Sequence, residues 1–494
     1  MGDTQENTNI YDVLVIGAGI SGIDAAYRLK SAFPDSSYTL LESRCVLGGT
    51  WSFWQYPGFR SDSYMSGYAF PWYKWTEVRG IADGDAIWRY VDEAARSQGI
   101  DKKIKYSHRV VGASWSTAAA LWTLIVDTPQ GQQLFKANFV FNCSGYYDYE
   151  TPFESPIPGL ERFKGTVAVP QFWPQDLDYS GKKMIIIGSG ATAITLLPSL
   201  AQKAGHITML QRSPSYVLSV TAIRPIDRIG RKFLPETAVR FISYWTTLFT
   251  EVIFLGFLSN FPSAGKKLIM KLMAKQLPDD IHVDKHFNPS YNPFEQRLCM
   301  CPDGDFFKAL RKPHVEIMTD FIDTVTPEGI RTKDGTFIEA DIIVPATGLK
   351  INPVGGVPLE VDGKLVELGN RFTWRGCMVE GVSNAGVVLG YFSNSWTPGA
   401  DCGVQQLVRV IKRMKKTGTT VVTPYMAPDE KDQDAQPFFD TNATYMVAAR
   451  PRMPQVHKQG TWSGRRNWLR DCIGDWWNGI EKGLKYTGGK AKDT

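Results

Sequence analysis

The sequence predicts an α/β fold of two doubly wound, parallel-sheet domains with a helical insertion, and three observations predict it. An apolar run at residues 11–16 leads into Gly17-Ala18-Gly19-Ile20-Ser21-Gly22, a helical stretch to about Lys30 and a second apolar run at residues 38–41. The same order recurs: Lys183–Ile187, then Gly188-Ser189-Gly190-Ala191-Thr192-Ala193, a helical stretch to about Ala201 and an apolar run at residues 206–210. Two further apolar runs, 139–145 and 342–348, each end in a small-residue turn of the kind that hands the chain to a neighbouring domain. Short continuous apolar runs between glycine turns suit strands buried on both faces of a parallel sheet.

The first glycine turn has the right context at both ends. Gly17, Gly19 and Gly22 let the backbone approach a pyrophosphate at a helix N-terminus, and Glu42 lies 20 residues beyond Gly22, where an acid accepts hydrogen bonds from a ribose 2′-hydroxyl. In the second turn Ala193 replaces the third glycine, which serves close helix packing and tolerates alanine. The following strand ends in Gln211-Arg212-Ser213 with no acid. Losing the acid removes a repulsion against a 2′-phosphate, and Arg212 can pair with that phosphate through a charged, bidentate contact. The two units therefore read as Rossmann-like dinucleotide-binding domains, the first for FAD and the second for NADPH. Nicotinamide delivers hydride and flavin receives it.

These signals place a first FAD-binding part at residues 1–150 and an NADPH-binding domain at 151–345. A helical insertion is expected at about 225–290. The FAD-binding domain resumes at 346–494, with a Trp- and Arg-rich tail wrapped over it after about Pro424. Pro- and Gly-rich stretches at 151–159 and 352–358 suit linkers.

Composition excludes several classes. Hydrophobic residues make up 43% and charged residues 21% of the 494, as in an average folded chain. A net charge of +5 is too mild to call for a nucleic-acid partner. Seven scattered cysteines with no CxxC pair indicate neither a zinc site nor a disulfide framework. His282 and His286 are spaced for two metal ligands, but Pro278 and Pro289 hem them in and no metal is expected. The polar N-terminus has no signal-peptide h-region, and Glu6 stands where a myristoylation motif needs Ser or Thr. The expectation is a reduced, cytoplasmic protein. Residues 241–258 complicate it: 18 residues with one charge, Glu251, followed by Lys266, Lys267, Lys271 and Lys275. A buried or capping helix is the leading expectation, a helix dipping into a membrane surface the second and a true span the third. The sequence does not specify an oligomeric state.

Further motifs narrow the family. Gly48-Gly49-Thr50-Trp51 is followed by Tyr56-Pro57-Gly58 and Asp62, and later by Phe163-Lys164-Gly165 and Trp173-Pro174. Together these resemble the class B flavoprotein monooxygenases, specifically the Baeyer–Villiger type, over most of the chain from Asp12 to about Trp396. The resemblance implies that Ser21, Glu42, Gly49, Thr50, Trp51, Asp62, Tyr68 and Val110 line the FAD site. It implies that Arg60 to Asp62, the turn from Gly188 through Ser189, Gly190, Ala191, Thr192 and Ala193, and Gln211 with Arg212 meet NADPH. Arg297, in Glu295-Gln296-Arg297-Leu298-Cys299, matches the family's active-site arginine, and Asp62 would orient it.

The reaction so implied consumes NADPH and O2, and a C4a-peroxyflavin attacks an apolar ketone to give an ester or lactone. A permanently charged guanidinium stabilises the attacking anion and the adduct, a contribution on the order of 3 kcal/mol for one such donor. One departure stands out: the family fingerprint has His where this chain has Val169. Valine can neither hydrogen-bond nor change charge, so slower or poorly coupled turnover is expected. Oxygenation of sulfur or nitrogen by the same cofactors is the main alternative. A disulfide reductase would need a second cysteine near Cys45, and a non-catalytic scaffold would leave Arg297 and Asp62 without a purpose.

Overall fold

The structure, a computed structural model, describes residues 5–296, 298–430, 435–477 and 479–489. Its architecture is mixed α/β, organised on two sheets, the first mixed around a parallel core and the second parallel throughout. In the first, strand Gln5–Ile16 lies between Tyr38–Leu41 and Gly131–Asn142, parallel to both, and Ile104–Lys105 extends the parallel edge. An antiparallel meander of Arg109–Ser116 and Leu121–Thr128 continues from Gly131–Asn142. Strands from much later in the chain complete this sheet: Leu359–Val361 pairs with Arg109–Ser116, and Ala385–Val387 pairs with residues 140–142.

Alternation along Gln5–Ile16 explains why both faces are covered. Successive strand side chains point to opposite faces. Val13 and Val15 accordingly enter one apolar core with Ile23, Leu29, Val404 and Leu407, while Leu14 and Ile16 enter another with Trp115, Trp122 and Phe135. Helices Ile20–Ala32 and Trp396–Thr417 cover the first face, tied by Arg28 Nε to Asp401 Oδ1 at 2.7 Å.

The second sheet has the order Val315–Thr319, His206–Gln211, Lys183–Ile187, Ile342–Pro345 and Thr166–Val167, parallel throughout. Met184 and Ile186 face one core and Ile185 and Ile187 the other. Helices Pro225–Phe233, Glu236–Asn260, Pro262–Ala274 and Val283–His286 lie between His206–Gln211 and Val315–Thr319 in the chain. In the tail, Val421–Pro424 pairs with Leu484–Thr487, and Trp462 is buried in the core that holds Val13.

Of the leading expectation, a buried or capping helix, the structure overturns only the buried form. Glu236–Asn260 is one continuous helix of 25 residues, long and apolar enough to cross a membrane by length and composition. Most of that stretch lies outside the core. It packs along the short helix Met65–Tyr68 and leaves Phe241, Phe249 and Ile253 exposed.

Candidate active site

A single cleft of about 940 Å³ runs along the C-terminal ends of strands from both sheets, where Ile16, Leu41, Ile187 and Leu210 meet it. That volume is at the upper end of the roughly 300–1,000 Å³ typical of small-molecule sites. In open parallel sheets, ligands bind outside the carboxyl ends of the strands, so the topology places the cleft where a dinucleotide belongs.

The first glycine turn forms one floor of it. Gly17 has φ +97°, and a Cβ there would sit 2.8 Å from the Cys143 carbonyl oxygen. Gly22 does not line the cleft; a Cβ on it would come within 1.9 Å of the Gly17 oxygen, so its role is packing. Helix Ile20–Ala32 has no side-chain cap and no acid in its first turn. Its N-terminal N–H groups, beside Gly19 and Ser21, are therefore available to an anion from the cleft. Glu42 is buried at the end of Tyr38–Leu41, where its oxygens accept from Ala18 N at 2.8 Å and Arg44 N at 3.0 Å. The residues present fit an FAD: a glycine cradle, an uncapped helix end and a carboxylate held at a strand end.

Gly49, Thr50, Trp51 and Val110 line the same half. Trp51 Nε1 donates to the Tyr68 hydroxyl at 2.8 Å, and its ring stacks on Phe59 at 5.2 Å. Burial pushes the Tyr56 and Tyr68 hydroxyls well above the ordinary phenol range and Tyr149 up to about 12. These rings stay neutral hydrogen-bonding groups at physiological pH.

At the second turn, Gly188, Ser189, Gly190, Ala191 and Thr192 line the cleft and Ala193 is fully buried behind them. Nothing lies within 4 Å of a Cβ built on Gly190, so this position opens onto ligand space. Helix Ala191–Leu200 likewise has no side-chain cap and no acid in its first turn. Arg212 lines the cleft and donates to Thr444 Oγ1 at 3.2 Å, and Lys333 lines it too. The carboxylate of Asp320, also on the cleft, is engaged by the N–H groups of Phe321 at 2.7 Å and Asp334 at 3.1 Å.

Gln211 departs from its expected place. Its side chain is buried and donates to the His286 carbonyl at 2.8 Å and to Thr319 Oγ1 at 2.9 Å, away from the cleft. As the last residue of His206–Gln211 its direction is fixed by strand alternation, whereas Arg212 lies beyond the strand end.

Arg60 and Asp62 lie on the cleft between the two turns. Arg60 Nη1 pairs with Asp305 Oδ2 at 2.8 Å, and its side chain is 8% exposed. Arg297 lies outside the described residues; Gln296, Cys299 and Met300 around it in the chain line the cleft. Burial pushes the Cys301 thiol up to about 12, so it packs as a neutral group. Among the described residues no cluster of His, Cys, Asp and Glu is arranged to hold a metal ion.

Sequence reasoning missed one wall. Tyr146, Tyr147, Tyr149, Tyr391, Phe392 and Trp396 all face the cleft, as do Thr444 and Tyr445 from the tail. Trp396 Nε1 donates to Ser21 Oγ at 3.0 Å, so the late segment closes directly onto the first glycine turn. The only local signal was aromatic density in Tyr146-Tyr147-Asp148-Tyr149 and Tyr391-Phe392.

Comparison with known proteins settles the family. Residues 11–227 match the model for flavin-binding monooxygenase-like (FMO-like) proteins. The chain is 40% identical over 465 residues to the FAD-containing monooxygenase EthA of Mycolicibacterium smegmatis, covering 94% of each. The chain belongs to the flavin-binding monooxygenases. This monooxygenase also shares its fold with a solved steroid monooxygenase bound to NADP, with a TM-score of 0.74, 20% identity and coverage of 97% of this chain and 100% of the other. A cyclohexanone monooxygenase from Rhodococcus sp. Phi1 bound to NADP+ gives a TM-score of 0.73 at 19% identity, covering 99% and 100%. The monooxygenase is thus an FAD enzyme whose two glycine turns open onto one cleft.

Proposed function

We propose that this monooxygenase uses NADPH and O2 to convert an apolar ketone into an ester or lactone. The observation that carries the reading is the convergence of Asp62 with the segment around Arg297, through Gln296 and Cys299, on the one cleft that both glycine turns enter. Bound FAD would supply oxygen activation and NADPH the hydride. Arg297 would place a permanent positive charge where negative charge develops on the substrate oxygen, and Asp62 would orient it. Arg212 and Lys333 would take the 2′-phosphate of NADPH. Tyr68, Trp51 and Trp396 would set aromatic faces around the flavin and help exclude water once it is bound. Further support comes from the fold neighbours, one of which is named for a cyclic ketone and another for steroids.

The test is turnover with NADPH under ¹⁸O2 on a panel of cyclic and linear ketones alongside thioethers. One labelled oxygen in an ester or lactone, lost in Arg297→Ala, is the expected result. Labelled sulfoxide with no ester from any ketone would replace this reading with heteroatom oxygenation.

A further inference from the structure

Helix Glu236–Asn260 is built inside out. At about 100° per residue, Ser243, Thr247 and Glu251 form one stripe and Phe241, Trp245, Phe249 and Ile253 the opposite one. The polar stripe faces the protein. Ser243 donates to Asp227, Thr247 Oγ1 lies 2.7 Å from Ser66 Oγ and accepts from Arg224, and Glu251 Oε1 accepts from Ser395 Oγ at 2.6 Å. The apolar stripe faces outward, with Phe241 65% and Ile253 69% exposed. Of this stripe, Trp245 and Phe249 contact Trp468.

The neighbouring helices continue that surface. Phe233 at the end of Pro225–Phe233 is 79% exposed, and Phe261 before Pro262–Ala274 is 60% exposed. On Pro262–Ala274, exposed Lys267 and Lys271 alternate with exposed Leu268 and Leu272. Residues 225–275 hold eight basic and three acidic residues, an excess equal to the net +5 of the whole chain. The three acids are spent: Asp227 pairs with Arg224, Glu236 with Arg240, and Glu251 bonds Ser395.

We propose that this helical face docks on an anionic lipid bilayer surface, lying in the interface rather than spanning it. A span would have to strip Ser243, Thr247 and Glu251 from their partners. An interfacial helix instead buries an apolar face about 5–10 Å deep while lysines at its flanks reach the headgroups. A second copy of the chain fits less well, because a two-fold contact would set this basic collar against its own image.

The test uses the full-length, FAD-loaded protein and needs no turnover. Sedimentation is measured with vesicles of phosphatidylcholine alone and of phosphatidylcholine mixed with phosphatidylglycerol, at low and high salt. The protein is expected to bind the mixed vesicles, and salt to weaken that binding. Lys267→Ala with Lys271→Ala should lower the affinity by roughly thirtyfold. Phe241→Ser with Ile253→Ser should abolish binding while the flavin spectrum is retained; if that pair fails to fold, the lysine pair decides. Equal or absent binding to both vesicle types would overturn the proposal. So would a lipid-free dimer, seen by light scattering, that the Phe241→Ser and Ile253→Ser pair dissolves.

Discussion

Glu251 and Ser395 are joined by a 2.6 Å hydrogen bond that ties the middle of an apolar helix to the start of helix Trp396–Thr417, at the edge of the flavin half of the cleft. Burial holds the Glu251 carboxyl above its ordinary range, against the lowering effect of Ser395. A raised carboxyl keeps its proton longer when folded than when unfolded, so stability falls as pH rises from the ordinary carboxylate range through the raised value. Glu251→Gln keeps an acceptor for Ser395 and removes the titration. Denaturation across that window should show a decline in the parent that is reduced in the variant.

The Arg60–Asp305 pair gives a second prediction. Asp305→Ala leaves a nearly buried guanidinium on the cleft without its carboxylate. Loss of about 1–3 kcal/mol of stability is expected, read as a lower unfolding midpoint of the FAD-loaded enzyme. Asp305→Asn, which keeps an acceptor, should lose less.

Coenzyme choice should rest on Arg212. Arg212→Ala should raise KM for NADPH by roughly 10- to 100-fold, the worth of a charged hydrogen bond, and leave KM for NADH nearly unchanged. Parallel steady-state assays with both coenzymes check it. An equal rise for both would place the 2′-phosphate elsewhere.

The two glycine turns should respond differently to a methyl group. Gly22→Ala drives a Cβ against the Gly17 backbone oxygen, so about 1–3 kcal/mol of stability and much of the bound flavin should be lost. Gly190→Ala meets no protein atom within 4 Å. It should fold and hold flavin normally yet bind NADPH more weakly, as titration of the flavin-loaded protein would show.

Val169 lies beside a separate small cavity of about 210 Å³, together with Val167, Thr192 and Leu349. Val169→His should raise the fraction of NADPH consumed that appears as product. Product measured against NADPH oxidised is the readout, and an unchanged ratio would end the idea that valine limits coupling.

What the sequence disclosed follows the range of the forces involved. Both strand–turn–helix units were legible because their signals are local: strand alternation, the positive φ of Gly17 and the crowding at Gly22 are each set within a few residues or against an adjoining strand. Gln211 misled because one step of alternation separates a side chain in the packed layer from one on the cleft. The aromatic wall from Tyr391 to Trp396 was illegible because irregular segments carry no period, and their position depends on Ser21, far away in the chain. The inverted amphipathicity of Glu236–Asn260 was hidden because a high apolar content alone does not say which face meets the protein.

The late strand Ala385–Val387, seated on Gly131–Asn142, has a consequence for biosynthesis. A ribosome that has released residues 5–142 has made most of the first sheet, yet Tyr391 and Trp396 are still to come. At about 5–20 residues per second, that wall follows residue 142 by roughly 10–50 s. The contact that closes Trp396 onto Ser21 is therefore completed only after most of the chain has been made.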